Sequence, residues 1–316
     1  MRYLVTGGGG FIGAYVVRVL LRQVDSVVIY DRYVKRNAIN EVLTPEELGR
    51  VATVQGDISD AWRLSALLRK YEISHIIHTA APLSVATETD PCLAEKTMCL
   101  AQAYVLESAR LFDLERVVWT SSVAVFGPKS LTRDSVPNDA PHDPQNLYGA
   151  CKSHCEYLAE HYYDEFGVDS IGLRLATVYG PWRQRGDFMF LHDMIAKPAL
   201  GLPCKVPFGD EVFNWQYVED VAELCVAASR VGQTRRRNFN TGGEIRCMQA
   251  VVDCIRRLIP SAQIDLKPGR TGIPWVMDTT ALDEEVGYRP TVSMEDRLKE
   301  SIEIIRLHAK LEPMFK

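Results

Sequence analysis

Short apolar runs alternate with amphipathic stretches through the first half of the chain. The runs are Tyr3–Val5, Val27–Tyr30, Val51–Val54, His75–His78, Val117–Thr120 and Ser170–Leu173. Between them, Phe11–Gln23, Ala61–Lys70, Leu93–Phe112 and Leu147–Phe166 carry apolar residues at helical spacing. Strands that take turns with helices predict right-handed βαβ units and hence a parallel sheet. The short, continuously apolar runs fit strands buried on both faces. The chain therefore reads as α/β, a doubly wound parallel sheet covered by helices on both sides.

The pattern changes after about Arg174. Gly180-Pro181, Lys197-Pro198, Leu202-Pro203 and Val206-Pro207 punctuate the stretch that ends at Gly209, which predicts a loop-rich cap with short helices. A strand is expected at Asn238–Asn240, a helix near Met248–Leu258, a strand near Ile264–Leu266 and a last helix near Met294–Leu311. The expected organisation is a sheet domain over 1–174 and a smaller C-terminal lobe over 175–316, with some segments of the second part returning to the first. No internal repeat or low-complexity segment interrupts this reading.

The first strand runs into Gly7-Gly8-Gly9-Gly10-Phe11-Ile12-Gly13 and then into a helix. Such a turn needs glycine, because it is tight, its backbone must approach a pyrophosphate, and the helix must pack close to the strand. The helix start offers unsatisfied N–H groups to the phosphates. Gly7, Gly10, Phe11, Ile12 and Gly13 are thus the expected phosphate cradle of a dinucleotide. Asp31 follows about 20 residues later at a strand end, where a carboxylate accepts the ribose hydroxyls. A carboxylate there repels a 2′-phosphate, which favours NAD over NADP. Arg32, Lys35 and Arg36 keep NADP open, since a cation neutralises a phosphate. Asp57-Ile58 ends the third run and is placed to meet the adenine; it also reads as a helix start, with Ser59 as the cap.

Tyr148 and Lys152 lie four residues apart and share a helix face. A free phenol titrates near 10, too high for a base at neutral pH, and a nearby ammonium favours the phenolate. Such a tyrosine can move a proton to or from a substrate oxygen, and the lysine has the reach to hold a ribose. Thr120-Ser121-Ser122 ends the fifth run, where the Ser122 hydroxyl can hydrogen-bond the reacting oxygen. Ser122, Tyr148 and Lys152 are the expected catalytic set.

At these residues the chain resembles the extended short-chain dehydrogenase/reductase family, the NAD-dependent sugar epimerases and dehydratases. The resemblance covers nearly the whole chain. It rests on the glycine turn, Gly56-Asp57-Ile58, His78-Thr79-Ala80-Ala81, Ser121 to Gly127, Tyr148 to Lys152, Leu173 to Pro181, and Tyr217-Val218-Glu219-Asp220-Val221. It implies a Rossmann sheet with a small C-terminal substrate lobe, and the catalytic set already named. It implies Thr79, Ala80, Ala81 and Leu175 as further cofactor contacts, and Ser84, Ser122, Val123 and Thr177 beside the substrate. It also implies a homodimer built from helices like Leu93–Phe112 and Leu147–Phe166.

The departures bear on the substrate. Family dehydratases carry an acidic pair just after the serine or threonine, and nucleotide-sugar decarboxylases a Glu two places on. Here Val123 and Ala124 stand there, and neither moves a proton. Oxidation or epimerisation at a carbinol carbon remains. Thr177 replaces an Asn common in the family, and Met98 another. An Arg that binds the nucleotide diphosphate aligns with Phe213, and an apolar ring cannot replace a cation at a phosphate. This favours a free sugar or sugar acid, unless Arg183, Arg185 or Arg270 substitutes. Arg183 and Arg185 follow Tyr179-Gly180-Pro181, where they clamp a carboxylate or phosphate or serve only as loop charges. His142 and His192 read as ordinary loop histidines. Thr87, Glu88 and Thr89 read as the start of a helix.

Composition narrows the class without choosing the substrate. A formal net charge of −5 gives no concentrated basic face for a nucleic acid, and Arg235-Arg236-Arg237 reads as a solvated loop. No segment approaches the roughly 18 unbroken apolar residues of a membrane span, and the first residues enter a strand with no secretory pattern. A cytoplasmic protein is expected. The eight cysteines include no Cys-x-x-Cys pair, so no metal is expected, and Cys151 and Cys155 read as small packing residues. Three functions remain: a dehydrogenase that releases NADH, an epimerase that keeps its NAD, and an NAD-binding sensor. The last would be expected to lose Tyr148 or Lys152, and both are present.

Overall fold

A computed structural model describes residues 1–23, 25–34, 38–82, 84–130, 135–184, 186, 188–271 and 275–315. Seven strands form one sheet, in the order Asn238–Asn240, Ser170–Leu175, Arg116–Ser122, His75–His78, Arg2–Thr6, Ser26–Asp31 and Ala52–Gln55. Every neighbouring pair in it is parallel. Chain order reverses between Arg2–Thr6 and His75–His78, the topological switch point at which such sheets bind ligands. The central strands are buried along their whole length, as in His75–His78 and Ser170–Leu175, which is why they read as unbroken apolar runs. The architecture is the doubly wound α/β sheet expected.

A smaller set of strands lies beyond Leu175. Glu244–Cys247, Val212–Tyr217 and Thr177–Tyr179 form one sheet, and Ile264–Leu266 pairs with Cys204–Val206. Asn238–Asn240 returns to the edge of the main sheet beside Ser170–Leu175. The helix Val218–Arg230 packs on Phe11–Arg22, where the Arg22 guanidinium donates to Glu219 at 2.6 Å.

Three local expectations are corrected. The segment 91–111 is not one regular helix. Asp90 caps a short turn at Pro91–Ala94, a π-helical turn follows at Glu95–Leu100, and the α-helix resumes at Ala101–Leu111. The Thr97 hydroxyl donates to the Leu93 carbonyl at 2.6 Å, a back-bond that disturbs the helical ladder. Thr87 to Thr89 end the helix Ser84–Thr89, and Asp90 starts the next element. Asp60, not Ser59, caps Ala61–Tyr71, because its carboxylate accepts the Arg63 N–H at 3.0 Å; the Ser59 N–H and hydroxyl donate to Asp57 instead.

Candidate active site

A cavity of about 1090 Å³ opens at the switch point, and walls from both ends of the expected chemistry line it. Gly7, Gly10, Phe11, Ile12 and Gly13 form one end, with Asp31, Arg32, Asp57 and Ile58 beside them. Thr79, Ala80, Ala81, Ser122, Tyr148, Leu175 and Arg183 continue the wall.

The glycines are there for space. Gly7 has φ of +69°, and a Cβ on it would lie 2.7 Å from the Ala80 nitrogen. A Cβ on Gly13 would lie 2.2 Å from the Gly7 carbonyl oxygen, far inside contact distance. The first turn of Phe11–Arg22 therefore seats against the glycine loop, and the loop against the His75–His78 strand end. Gly10 caps this helix with no side-chain partner, which leaves helix-start N–H groups to a ligand. The cradle fits the pyrophosphate of a dinucleotide. Gly13→Ala is expected to weaken NAD binding by at least roughly tenfold, about 1.4 kcal/mol. Titration of NAD against protein fluorescence measures it, and a variant that binds like the parent refutes the cradle.

The adenosine side is ordered by carboxylates. Asp31 accepts the Gly9 N–H at 3.0 Å and the Tyr33 N–H at 2.8 Å, so it already braces the glycine loop. Arg32 lies 3.9 Å from Asp57 and is engaged with a carboxylate. Burial pushes the Asp57 acid up, but the Ser59 N–H and hydroxyl outweigh it and hold it below the usual carboxylate range. Lys35 and Arg36, which kept NADP open, lie outside the described residues.

The reacting end is built by the Leu147–Phe166 helix against the end of Arg116–Ser122. Asn146 caps that helix by accepting the Gly149 N–H at 2.8 Å. Glu88, from a distant helix, accepts the Leu147 and Tyr148 N–H groups at 2.8 and 3.4 Å, a carboxylate at the positive end of the helix dipole. A Cβ on Gly149 would lie 2.1 Å from the Ala124 carbonyl, so glycine next to Tyr148 lets the helix press onto the 123–125 turn. The Ser122 hydroxyl caps that turn by accepting the Ala124 N–H at 3.1 Å, and it faces the same cavity as Tyr148. Lys152 is buried. Its ammonium donates to the Thr120 carbonyl at 2.5 Å and lies 5.8 Å from the Tyr148 ring centre. The structure thus brings Ser122, Tyr148 and Lys152 to one place.

Other expected contacts are placed differently. Among the described residues, the cavity wall includes Val85, Ala86, Ala176 and Val178 but not Ser84, Val123 or Thr177. Val123 is buried in the core because the Ser122-capped turn directs it inward. Thr177 is buried in the strand beside Trp215. Arg183 donates to the Val178 carbonyl at 2.9 Å and reaches over the Phe11 ring, and Arg185 lies outside the described residues. Arg270 is exposed and does not line the cavity. Phe213 is fully buried among Trp215, Trp275 and Phe188, with ring centres 5.0 to 6.3 Å away.

Sequence reasoning missed a buried polar group behind Ser122. His142, read as a loop residue, lies 3.2 Å from Glu156, which is itself clamped by Arg174 at 2.7 Å and by the Ser121 hydroxyl at 2.5 Å. Those four residues come from separate elements, so spacing could not reveal them. Glu88 escaped for the same reason.

A parallel sheet of this strand order, a glycine cradle at its switch point, a serine and a tyrosine on the wall of the same cavity, and a buried lysine beside that tyrosine but not on the wall define a dinucleotide-dependent oxidoreductase. The chain belongs to the NAD dependent epimerase/dehydratase family, whose profile matches residues 3–242. It is an NAD-dependent enzyme of the epimerase and dehydrogenase class within the short-chain dehydrogenases/reductases. The chain is 27% identical to UDP-glucuronate 4-epimerase 4 of Arabidopsis thaliana, over 95% of its own length and 74% of the relative's. It is similar to the solved UDP-glucose 4-epimerase of Thermotoga maritima, with TM-score 0.86, 25% identity, and coverage of 98% and 100% of the two chains. It is also similar to the L-threonine dehydrogenase of Phytophthora infestans, with TM-score 0.82, 26% identity, and coverage of 98% and 100%. Among the described residues no helix is long and apolar enough to cross a membrane.

Proposed function

We propose that the chain transfers hydride at a secondary alcohol of a sugar or sugar acid, as a dehydrogenase or an epimerase. The observation that carries this reading is the single cavity joining the glycine cradle to Ser122 and Tyr148. Bound NAD supplies the hydride acceptor. The chain's own residues do the rest. Ser122 donates its hydroxyl to the substrate oxygen and fixes its position. The Tyr148 phenolic oxygen takes the hydroxyl proton as the alcohol is oxidised. Lys152, anchored on the Thr120 carbonyl, places its charge beside Tyr148 and is the residue to hold the nicotinamide ribose. Val123 and Ala124, just after Ser122, offer no acid or base for dehydration.

Phe213 favours a substrate without a diphosphate. The family resemblance aligns a diphosphate-binding Arg with Phe213, and here that ring is buried in an aromatic cluster that offers no cation. The named relatives act on UDP-sugars or L-threonine, so both classes belong in the test. A panel of free sugars, uronic and aldonic acids, UDP-sugars and L-threonine is incubated with NAD, and both NADH and product stereochemistry are read. Net NADH from a free sugar or sugar acid is the expected dehydrogenase result. NAD retained through purification, with an inverted carbinol centre and no net NADH, is the epimerase result. Turnover confined to UDP-sugars or to L-threonine overturns the proposed substrate class.

A homodimer through the two helical segments is part of this reading. Leu100, Leu111, Tyr157 and Phe166 are large apolar side chains exposed on them. Sedimentation equilibrium should give twice the chain mass.

A further inference from the structure

Three buried thiols meet beside the helix that carries Tyr148 and Lys152. Cys99 stands in the π-helical turn Glu95–Leu100, and Cys151 and Cys155 are one turn apart on Leu147–Phe166. The Cys99 thiol is in contact with both of the others. Glu95 precedes Cys99 by four residues and shares its helix face. A Glu95 carboxylate oxygen and the Cys99 and Cys151 sulfurs all lie within 4.8 Å of one another.

We propose that Glu95, Cys99 and Cys151 form a binding site for a soft divalent cation of the zinc class, with Cys155 beside it. This lies outside the hydride-transfer reading and does not depend on it. Around a tetrahedral zinc ion with Zn–S near 2.3 Å and Zn–O near 2.1 Å, donor atoms stand roughly 3.5 to 3.8 Å apart. The three donors therefore need to close by only about 1 Å to bind. The donor set, two thiolates and one carboxylate, is the soft-to-borderline kind that selects zinc over magnesium or calcium. An isolated buried cysteine needs no explanation beyond packing, whereas two thiols converging on a carboxylate do.

Glu95 and Cys99 also line a surface groove with Cys92, Lys96, Leu100 and His154, on the helical face assigned above to the homodimer. A divalent cation displaces the thiol protons as it binds: each S–H bond breaks, a sulfur–metal bond forms, and the proton leaves to solvent. A bound ion would tie the Tyr148 helix to the π-turn through Cys151.

The full chain, reduced and stripped with a chelator, is titrated with Co²⁺ as a spectroscopic stand-in for zinc. Thiolate-to-cobalt charge-transfer bands saturating at one ion per chain are expected. Zn²⁺ should abolish them, and acid should be released on binding. Cys99→Ser should remove the bands. Glu95→Gln, at an exposed carboxylate whose loss does not touch the core, should weaken binding by roughly tenfold to a hundredfold. Cys247→Ser, in a remote strand, should leave it unchanged. The proposal is overturned by a wild-type chain without saturable bands, by Glu95→Gln and Cys99→Ser chains that bind like wild type, or by Cys99 and Cys151 found joined as a disulfide in the purified protein.

Discussion

Tyr148→Phe is expected to lower kcat by about 10³-fold while leaving NAD affinity unchanged, within the range that a positioned acid–base group contributes. Phenylalanine keeps the ring that lines the cavity and removes only the oxygen that accepts the proton. Neighbouring structure should not move, because the helix start is held by Asn146, Glu88 and the close seat of Gly149, none of which touches the phenol oxygen. Lys152→Ala should differ in kind. It removes the buried ammonium bonded to the Thr120 carbonyl, so NAD affinity and kcat should fall together. Steady-state kinetics on whichever substrate the panel identifies, with NAD titrated separately, distinguishes the two. A Tyr148→Phe enzyme that keeps more than a tenth of its activity would remove the tyrosine from the chemistry and revive the sensor reading.

How much of this was legible in the sequence depended on where each element's partners lie along the chain. The strand His75–His78 and the helix Leu147–Phe166 were read to the residue. The strand is apolar or ring-bearing at every position, and the helix is bracketed by Asn146 at its start and Gly167 with φ of +70° at its end. Val212–Tyr217 and the following helix were not read as elements. That strand is buried almost throughout, yet Asn214 and Gln216 interrupt its apolar run. Their amides are spent inside the protein: Asn214 donates to the Thr241 carbonyl, and Gln216 accepts the Ala176 N–H at 2.8 Å. Phe213, Trp215 and Tyr217 nonetheless alternate with these two amides, a strand period of two that the sequence carries and that a search for unbroken apolar runs passes over.

The site divides in the same way. Its glycines and its tyrosine–lysine spacing are local patterns, visible before folding. The carboxylate that caps the Tyr148 helix comes from 59 residues upstream, and no spacing rule connects Glu88 to Leu147. The family motifs assign Thr177 and Val123 to the substrate, but a strand turns alternate residues to opposite faces, which buries Thr177, and the Ser122-capped turn buries Val123. Ala176 and Val178 took the cavity face. Position within a motif therefore located the neighbourhood, and only the backbone decided which side chain enters it.

Glu156→Gln should destabilise the fold by ~3 kcal/mol at neutral pH, and the loss should fade in acid. Glu156 is fully buried, and it accepts from Arg174 through two nitrogens, from the Ser121 hydroxyl and from His142. Burial alone would push its acid up, but the Arg174 guanidinium and His142 outweigh burial and hold it down at about 2. In the unfolded chain a glutamate titrates near 4.3. Because the folded value is the lower one, the carboxylate's stabilisation is complete above about pH 5 and is lost as pH falls from there towards 2. Glutamine keeps the shape and an acceptor for Ser121. It leaves Arg174, buried and shared with Asn138 and Asn240, without its counter-charge. An uncompensated buried charge is the costly part of a broken pair. Urea midpoints of both proteins at pH 7 and pH 3 measure the effect, with a large gap expected at pH 7 and a smaller one at pH 3. A gap of the same size at both values would show that the glutamate acts through packing and not through its charge. No gap at pH 7 would mean that the network behind Ser122 contributes nothing to holding the Ser170–Leu175 strand, the Arg116–Ser122 strand and the Tyr148 helix together.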